Sequence, residues 1–309
     1  MKILLVSTAW PWPTRKGYQV RLLQVASALA RWHEVTLLVP EAQPGAPSHP
    51  SGLAIETYRR SRAASPAGVG AAFLGRRALQ SGLFTSADLR RRLRELAPRF
   101  DRVVLQLVRF AGVTEELGGT PWVVDLVDSL SLNLQRRAAL DRVWLRPLLL
   151  FEARRLAHDE HRMIAASSAA LLVSERDRLH LSATLPPELA AKLAVVPLAL
   201  PEAPTGLAPR AVRAAGEAEL AITGNLGYFP TVRGVRWFLD QVWPEVARKY
   251  PRARLLVAGA RPPRALARRV RALGGRVVAN PADLAALLAD SDVALAPLLA
   301  GSGTPIKLL

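Results

Sequence analysis

Residues 2–39 read KILLVSTAWPWPTRKGYQVRLLQVASALARWHEVTLLV, and this stretch decides the fold class. Lys2–Ser7 is a short apolar run that turn residues follow at once, which predicts a buried strand. Apolar residues then recur at helical spacing over Val20–Arg31, and Glu34–Val39 predicts a second strand. A strand, a helix and a strand within about 40 residues form a βαβ unit, so we predict a parallel sheet with right-handed crossovers.

The same alternation of strands and helices continues along the chain. Short apolar runs bounded by turn residues predict further strands. They span Leu53–Tyr58, Val103–Val108, Trp122–Val127, Ala170–Val173 and Ala194–Pro197. Arg76–Ala97 predicts a basic helical stretch whose buried side consists of Leu79, Leu83, Leu89, Leu93 and Leu96. A second helical region spans Leu132–Ala166 and should be broken near Pro147.

A proline-rich segment separates two halves of the chain. Pro201, Pro204 and Pro209 give it the composition of a linker, and the strand–helix alternation restarts after it. We predict a Rossmann-like lobe over 1–202, a linker over 203–216 and a second Rossmann-like lobe over 217–309. Both lobes would be doubly wound α/β parallel sheets. Ligands of such sheets lie outside the carboxyl ends of the strands, which here would face a cleft between the lobes.

The composition favours a protein of a reducing compartment. The chain of 309 residues contains no cysteine, which excludes disulfides, cysteine zinc ligands and cysteine nucleophiles. Pro11 and Pro13 break the N-terminal apolar run too early for a signal peptide, and no apolar run approaches the roughly 20 residues that span a bilayer. We expect a cytoplasmic protein, either soluble or peripheral on the inner face of the membrane.

The formal net charge of +17 allows two interpretations. One is a compositional bias that spreads arginine over solvated surfaces, and the other is an anionic partner. Between Arg59 and Arg102 the sequence has eleven arginines and three acids, an excess of eight positive charges. Such a patch fits anionic lipid headgroups or a phosphorylated acceptor. Aromatic residues do not alternate with these arginines, so we expect no nucleic-acid partner.

Two common nucleotide motifs are absent from the sequence. No Gly-x-Gly-x-x-Gly follows the first strand, and there is no Gly-x-x-x-x-Gly-Lys-Ser/Thr, which disfavours an ordinary NAD enzyme and a P-loop ATPase. Residues 10–17 read WPWPTRKG instead. Gly17 precedes a predicted helix, whose first backbone amides can bind an anion, and the alternative role of Gly17 is a structural turn.

The most specific motifs lie in the second lobe. Residues 223–230 read TGNLGYFP, residues 255–262 read LLVAGARP, and residues 296–309 read APLLAGSGTPIKLL. The first lobe contributes residues 10–21, 125–129 and 173–177. In their order and spacing these segments resemble glycosyltransferase family 4, the large retaining family with the GT-B fold.

The resemblance implies a retaining glycosyltransferase of the hexosyltransferase type with a nucleotide-sugar donor. The acceptor would be a glycan or a lipid-linked molecule of the cell envelope, as in polysaccharide biosynthesis. It implies no cofactor and no metal, because the leaving diphosphate helps to deprotonate the acceptor. Asp290-Ser291-Asp292 imitates a metal-binding motif, but its position at the end of a predicted helix favours capping.

The matching positions supply candidate site residues. Glycine lets backbone amides approach phosphates closely, and a lysine near them can neutralise the charge of a departing diphosphate. The donor-binding candidates are Gly224, Asn225, Gly259, Arg261, Gly301, Ser302, Gly303 and Thr304. The catalytic candidates are Asp128 and Lys307, and Gly17 with Arg21 would belong to an acceptor or phosphate loop.

The sequence departs from the family pattern at several positions. Many relatives carry a histidine at the position of Val127, so Asp128 becomes the main candidate of the first lobe. Many relatives carry an Arg…Lys pair after the first strand of the second lobe, whereas this stretch has Arg233 and Arg236 but no lysine. The chain ends after Lys307 and before the Glu-Ala-x-Ala-x-Gly-x-Pro of the family, so we expect a C-terminally truncated fragment, with an inactive 309-residue form as one alternative.

Two other functions stay open. A nucleotide-sugar epimerase would share the fold but should carry more acid and base side chains in the cleft. A non-catalytic basic binding protein for anionic membrane or nucleic acid would bind without any sugar donor, and salt would weaken its binding strongly.

Overall fold

The computed structural model describes residues 1–14, 16–42, 52–60, 70, 77–199 and 217–299. The predicted linker 203–216 and the segment 300–309 lie outside these residues. The chain forms two compact units, of which the first contains residues 1–199 and the second contains residues 217–299.

The first unit is built on a seven-stranded parallel sheet. Its strands are β1 (Lys2–Val6), β2 (Glu34–Pro40), β3 (Ala54–Tyr58), β4 (Arg102–Gln106), β5 (Trp122–Val127), β6 (Ala169–Leu172) and β7 (Leu193–Val195). Their order is β3-β2-β1-β4-β5-β6-β7, and every neighbouring pair is parallel. The direction of winding changes between β1 and β4, which makes the carboxyl ends of these strands the expected ligand position.

Helices follow β1, β3, β5 and β6, as the βαβ pattern predicts, whereas two short 3-10 helices lie between β4 and β5. The α-helices are α1 (Gly17–Leu29), α2 (Leu79–Phe84), α3 (Ala87–Leu96), α4 (Leu130–Leu140), α5 (Arg146–Ala166), α6 (Glu175–Ser182) and α7 (Pro187–Ala190). The predicted break in the long helical region falls at residues 141–145. Pro147 lies in the first turn of α5, where a missing backbone N–H costs nothing.

The basic stretch 76–97 forms two helices instead of one. Ser86 ends the continuity because its side chain caps α3 by accepting a hydrogen bond from the backbone N–H of Leu89. The predicted burial of Leu89, Leu93 and Leu96 is confirmed, whereas Leu83 is exposed. The prediction for Leu83 was wrong because α2 and α3 do not share one continuous helical face.

Five arginines between Arg59 and Arg102 form ion pairs with acids that lie outside this stretch. Arg59 pairs with Glu41, Arg77 with Glu115, Arg90 and Arg94 with Glu116, and Arg92 with Glu56. All these acids lie outside the stretch whose charge the sequence counts. Exposed ion pairs stabilise a fold little, but they cancel much of the local positive field. The stretch is therefore less cationic than the sequence indicates.

Buried acids on α5 anchor the helices that pack against it. The carboxylate of Glu152 accepts hydrogen bonds from the backbone N–H groups of Leu79 and Gln80 at the start of α2. Asp159 is fully buried, and its Oδ2 accepts from the N–H of Ala78 and the hydroxyl of Ser81 at 2.9 Å each. These carboxylates take up amide groups that helix starts leave unpaired.

The second unit has a four-stranded parallel sheet in its described part. Its strands are β8 (Glu219–Asn225), β9 (Arg254–Ala260), β10 (Arg276–Ala279) and β11 (Val293–Leu295), in the order β10-β9-β8-β11. Its helices are α8 (Phe229–Gln241), α9 (Trp243–Lys249), α10 (Arg264–Ala272) and α11 (Leu284–Ala289). The prediction of two Rossmann-like α/β units is confirmed.

Of the Asp-Ser-Asp segment after α11, Asp292 binds the backbone of the sheet. Asp292 accepts a hydrogen bond from the N–H of Glu219 at 2.6 Å, at the amino end of β8. This end is opposite to the one where parallel sheets bind ligands. Across the described residues, no group of three or more His, Asp or Glu side chains is arranged to hold a metal ion. No helix in this part of the chain has both the length and the apolar character to cross a membrane.

Replacing Asp159 with alanine should destabilise the first unit. The change leaves the buried N–H of Ala78 and the hydroxyl of Ser81 without an acceptor, which should lower the free energy of unfolding by about 2–3 kcal/mol. Urea denaturation measures this loss. Arg162→Ala, an exposed position on the same helix, should change the free energy by no more than about 0.5 kcal/mol. Equal losses in the two variants would contradict the anchoring role of Asp159.

Candidate functional site

The carboxyl ends of β8 and β9 meet at two glycines. Gly224 and Gly259 are register partners in the parallel pair, and their φ angles are 143° and 154°. A Cβ atom on Gly259 would lie 1.8 Å from the carbonyl oxygen of Gly224, so no other residue fits without moving the backbone. The two strand ends therefore present bare backbone at the edge where doubly wound sheets bind ligands.

A hydrogen-bonded loop network surrounds these glycines. The side-chain oxygen of Asn225 accepts from the N–H of Gly227 at 3.1 Å. The N–H of Arg261 donates to Oδ1 of Asn280 at 3.1 Å, and the N–H of Asn280 donates to the carbonyl of Gly259 at 2.8 Å. Arg261 and Asn280 both have positive φ, a backbone conformation that is costly for residues other than glycine. The hydrogen bonds of this network hold both residues in that conformation. The structure thus brings together the predicted residues Gly224, Asn225, Gly259 and Arg261.

The helix that follows β8 adds an electropositive end to this edge. α8 begins at Phe229, directly after the loop of Gly227, and its first backbone amides favour an anion. Gly234 on this helix contacts the segment after β11 so closely that a Cβ would lie 1.6 Å from the carbonyl oxygen of Pro297. The winding direction changes between β8 and β11, the expected ligand position of this sheet.

Five predicted residues lie outside the described part of the chain. They are Gly301, Ser302, Gly303, Thr304 and Lys307. They follow β11, which pairs with β8 through Leu295 and Ile222. Their roles stay predictions.

The equivalent edge of the first unit is organised by a buried glutamine. Gln106, at the end of β4, accepts a hydrogen bond from the hydroxyl of Ser7 at 2.8 Å and donates to the carbonyl of Tyr18 at 2.8 Å. Tyr58 donates to the carbonyl of Ser7 at 2.9 Å. These bonds tie the ends of β1, β3 and β4 to the start of α1, which begins at the predicted Gly17.

Arg21 on α1 is engaged inside the protein. Its side chain is 2% exposed, and its Nε donates to Oδ2 of Asp125 at 3.0 Å. Its Nη1 donates to the carbonyls of Val196 and Pro197 at 2.7 and 3.2 Å. Burial raises the pKa of the Asp125 carboxyl, and the charge of Arg21 opposes that rise. This placement joins α1, β5 and the segment after β7, and the acceptor-loop role of Gly17 and Arg21 stays a prediction.

The backbone that leads to Asp128 is strained. Val127 ends β5 with a φ of 66°, which is rare for a β-branched residue. The N–H of Asp128 donates to the carbonyl of Leu126 at 2.8 Å, which closes a γ-turn around Val127. The next backbone amide, of Ser129, donates to the buried Asp177 at 3.3 Å. Surrounding contacts must hold a strained turn of this kind, and the catalytic role of Asp128 stays a prediction.

A fully buried carboxyl group lies beneath this turn. Glu160 of α5 accepts hydrogen bonds from the N–H and the hydroxyl of Ser131, at 3.1 and 2.5 Å. Burial raises the pKa of Glu160 to about 7, the Ser131 bonds oppose that rise, and the charge of Asp128 adds to it. The two carboxyl groups therefore repel each other when both are charged.

Sequence reasoning missed Asn280 and Glu160. Glu160 occupies a position of the apolar stripe that also contains Leu156, Met163 and Ile164. A carboxylate in such a stripe indicates a buried polar contact, and this signal was available in the sequence. Asn280 follows a short strand at a position with positive φ, which asparagine tolerates better than most residues.

Comparisons with known proteins bear on the second unit and on the fold. Residues 217–309 match the family model described as "Glycosyl transferases group 1". No curated protein matches the chain.

Several solved structures share the fold. Sucrose-phosphate synthase from Thermosynechococcus elongatus is 12% identical, with a TM-score of 0.62, 97% of this chain and 76% of that chain covered. The α,α-trehalose-phosphate synthase (UDP-forming) from Burkholderia vietnamiensis is 14% identical, with a TM-score of 0.57 and coverages of 97% and 79%. A structure described as "Trehalose-6-phosphate from E. coli bound with UDP-2-fluoro glucose" is 13% identical, with a TM-score of 0.55 and coverages of 97% and 78%.

Likeness at this level of identity shows the fold, which is that of the GT-B enzymes. The family match over the second unit and the shared fold together support a glycosyltransferase.

Gly259→Ala should destabilise the second unit. The added methyl group would collide with the carbonyl of Gly224, so the ends of β8 and β9 must separate. We expect the free energy of unfolding to fall by about 2 kcal/mol or more in urea denaturation. Gly52→Ala is the control, because a Cβ there meets no atom within 4 Å. A Gly259 variant as stable as the Gly52 variant would show that the strand ends are not in close contact.

Glu160→Gln should change how stability depends on pH. The folded-state pKa of about 7 lies above the ordinary value of 4.5, so the folded protein holds an extra proton between these pH values. The free energy of unfolding of the wild type therefore carries a contribution that falls as pH rises through that window. Glutamine cannot ionise, so the stability of the variant should not show this fall. Between the two ends of the window, the wild type should lose on the order of 3 kcal/mol of unfolding free energy relative to the variant.

Urea denaturation at a series of pH values measures this difference. His161 and His180, whose pKa values burial lowers, titrate in both proteins and cancel in the comparison. Parallel curves for the wild type and Glu160→Gln would contradict the raised pKa of Glu160.

Proposed function

We propose that the protein is a retaining glycosyltransferase of family 4, of the hexosyltransferase type, which moves a sugar from a nucleotide-sugar donor to a glycan or lipid-linked acceptor of the cell envelope. The observation that carries the proposal is the bare backbone edge of Gly224 and Gly259, which lies within the unit that matches the glycosyltransferase model. The reaction would need neither a metal nor a cofactor.

The second unit would bind the donor. Backbone at Gly224 and Gly259 has no side chain to keep a diphosphate away, and the start of α8 favours its negative charge. The side chain of Arg261 is exposed beside Gly227, where it can reach a phosphate. The glycine-rich residues 301–304 would add further backbone amides, and Lys307 would add a positive charge.

The transfer would occur on one face of the sugar. The bond between the anomeric carbon and the diphosphate oxygen breaks, and a bond from the acceptor oxygen forms on the same face. The acceptor proton passes to the departing diphosphate, whose growing charge Lys307 would stabilise. Asp128 would be the catalytic carboxylate of the first unit. The γ-turn and the bond from Ser129 fix the backbone on both sides of it.

Other functions are less well supported. A nucleotide-sugar epimerase would use the same donor edge, but it must add and remove protons at the sugar, and the predicted site supplies Asp128 as its single carboxylate. A non-catalytic basic binding protein would need the cationic stretch 59–102, and much of that charge is paired with acids.

A panel of nucleotide sugars tests the proposal. The protein, in the longest reading frame that contains this chain, should release nucleoside diphosphate from one donor when glycan or polyprenyl-phosphate acceptors are present. The anomeric configuration of the product should equal that of the donor, and a chelator should leave the rate unchanged. Interconversion of the free nucleotide sugars would favour the epimerase, and no turnover of any donor would contradict both enzymes.

Two variants test whether Asp128 and Lys307 take part in catalysis. Asp128→Ala and Lys307→Ala should each lower kcat by about 100-fold or more, because each removes a charge next to the reacting groups. Glu188→Ala, an exposed carboxylate of the first unit, is the control and should leave kcat unchanged. An Asp128 variant with the kcat of the control would remove Asp128 from the site.

A further inference from the structure

The turn between α4 and α5 exposes large apolar side chains. The exposed fractions are 83% for Val143, 69% for Trp144, 55% for Leu148 and 41% for Phe151. Trp144, Leu148 and Phe151 recur at a spacing of four and three residues, so they share one face as the turn continues into α5. Contiguous exposed apolar surface of this kind marks an interface with a protein or a membrane.

Positive charge accompanies this surface. Residues 142–151 read RVWLRPLLLF, with two arginines and no acid. Arg142 and Arg146 are exposed, and neither forms an ion pair with another described residue. Of the neighbouring acids, Asp141 forms its ion pair with Arg137 of α4 and also interacts electrostatically with Arg142, and Glu152 is buried against the start of α2. The turn is therefore both apolar and cationic.

Arginine and aromatic side chains are in contact along this face. The Arg142 guanidinium lies 6.0 Å from the ring centroid of Trp144, and that of Arg155 lies 4.5 Å from the ring centroid of Phe151. Tryptophan and arginine together are typical of the boundary between lipid headgroups and acyl chains. A second copy of the chain fits less well, because a two-fold dimer through this patch would bring its own unpaired arginines together.

The patch lies at the tip of a helical hairpin that begins beside Asp128. α4 starts two residues after Asp128, packs against α5 and connects to it through the short turn 141–145. Glu160 bonds Ser131 at the base of this hairpin. α5 begins at Arg146, fourteen residues before Glu160, so the tip is about 21 Å from the base along the helix.

We infer that this hairpin tip is a docking surface for an anionic bilayer. Val143, Trp144 and Leu148 enter the headgroup boundary, while Arg142 and Arg146 contact lipid phosphates. The consequence for catalysis rests on the proposed function, since a lipid-linked acceptor would then be held on the same side as the hairpin that leads to Asp128. The docking itself requires no sugar transfer.

Vesicle co-sedimentation of the 309-residue chain, without nucleotide sugar, tests the docking. The wild type should bind vesicles of phosphatidylcholine and phosphatidylglycerol and should bind pure phosphatidylcholine much more weakly. Val143→Ser/Trp144→Ser should weaken binding to the anionic vesicles by about tenfold or more. Arg142→Gln/Arg146→Gln should weaken it by about fivefold for each charge removed, and salt should reduce the effect of these charges.

Trp32→Ser is the matched control, because Trp32 is 74% exposed between α1 and β2 and is not part of the hairpin. It should bind vesicles as the wild type does. Absence of vesicle binding, or binding that Val143→Ser/Trp144→Ser leaves unchanged, would overturn the docking surface. A dimer in sedimentation velocity that the double variant dissociates, with no vesicle binding, would assign the patch to a second copy instead. Because no donor is present, none of these results depends on the proposed transferase activity.

Discussion

The contact between the backbones of Gly224 and Gly259 is the constraint on which the proposed donor site depends. The two residues are register partners at the ends of neighbouring strands, and any Cβ on Gly259 would overlap the Gly224 carbonyl. With no side chain in the way, the loop of Asn225 and the start of α8 reach the same edge of the sheet. Parallel sheets place ligands at this edge because helix starts and free backbone amides collect there.

The first unit, by contrast, buries charged side chains in its interior. Arg21 and Asp125 are nearly inaccessible and form a 3.0 Å ion pair, which brings α1 and β5 together. The acids of α5 bind the free amides at the starts of α2 and α4. One of them, Glu160, lies beneath the strained turn that presents Asp128. The predicted catalytic carboxylate is thus set on a framework of buried polar contacts.

The alternation of apolar runs and helical spacing predicted all seven strands of the first sheet, because strands buried on both faces leave a continuous apolar pattern. Local patterns did not reveal contacts between distant residues. Glu116 pairs with two arginines of α3 that the sequence counts toward a cationic patch. The apolar stripe around Glu160 indicates a buried contact, but the sequence does not identify Ser131 as its partner. The exposure of Trp144 cannot be read from the sequence either, because burial depends on what the rest of the chain covers.

Hydrogen–deuterium exchange with and without nucleoside diphosphates tests the central claim most directly. We expect one nucleoside diphosphate to slow exchange at residues 223–229 and 259–261, where the backbone amides would face its phosphates, and to leave the peptide of α5 unchanged. Gly52→Ala should show the same protection as the wild type. Protection confined to the first unit, or no protection at the ends of β8 and β9 at saturating ligand, would contradict a donor site built on Gly224 and Gly259.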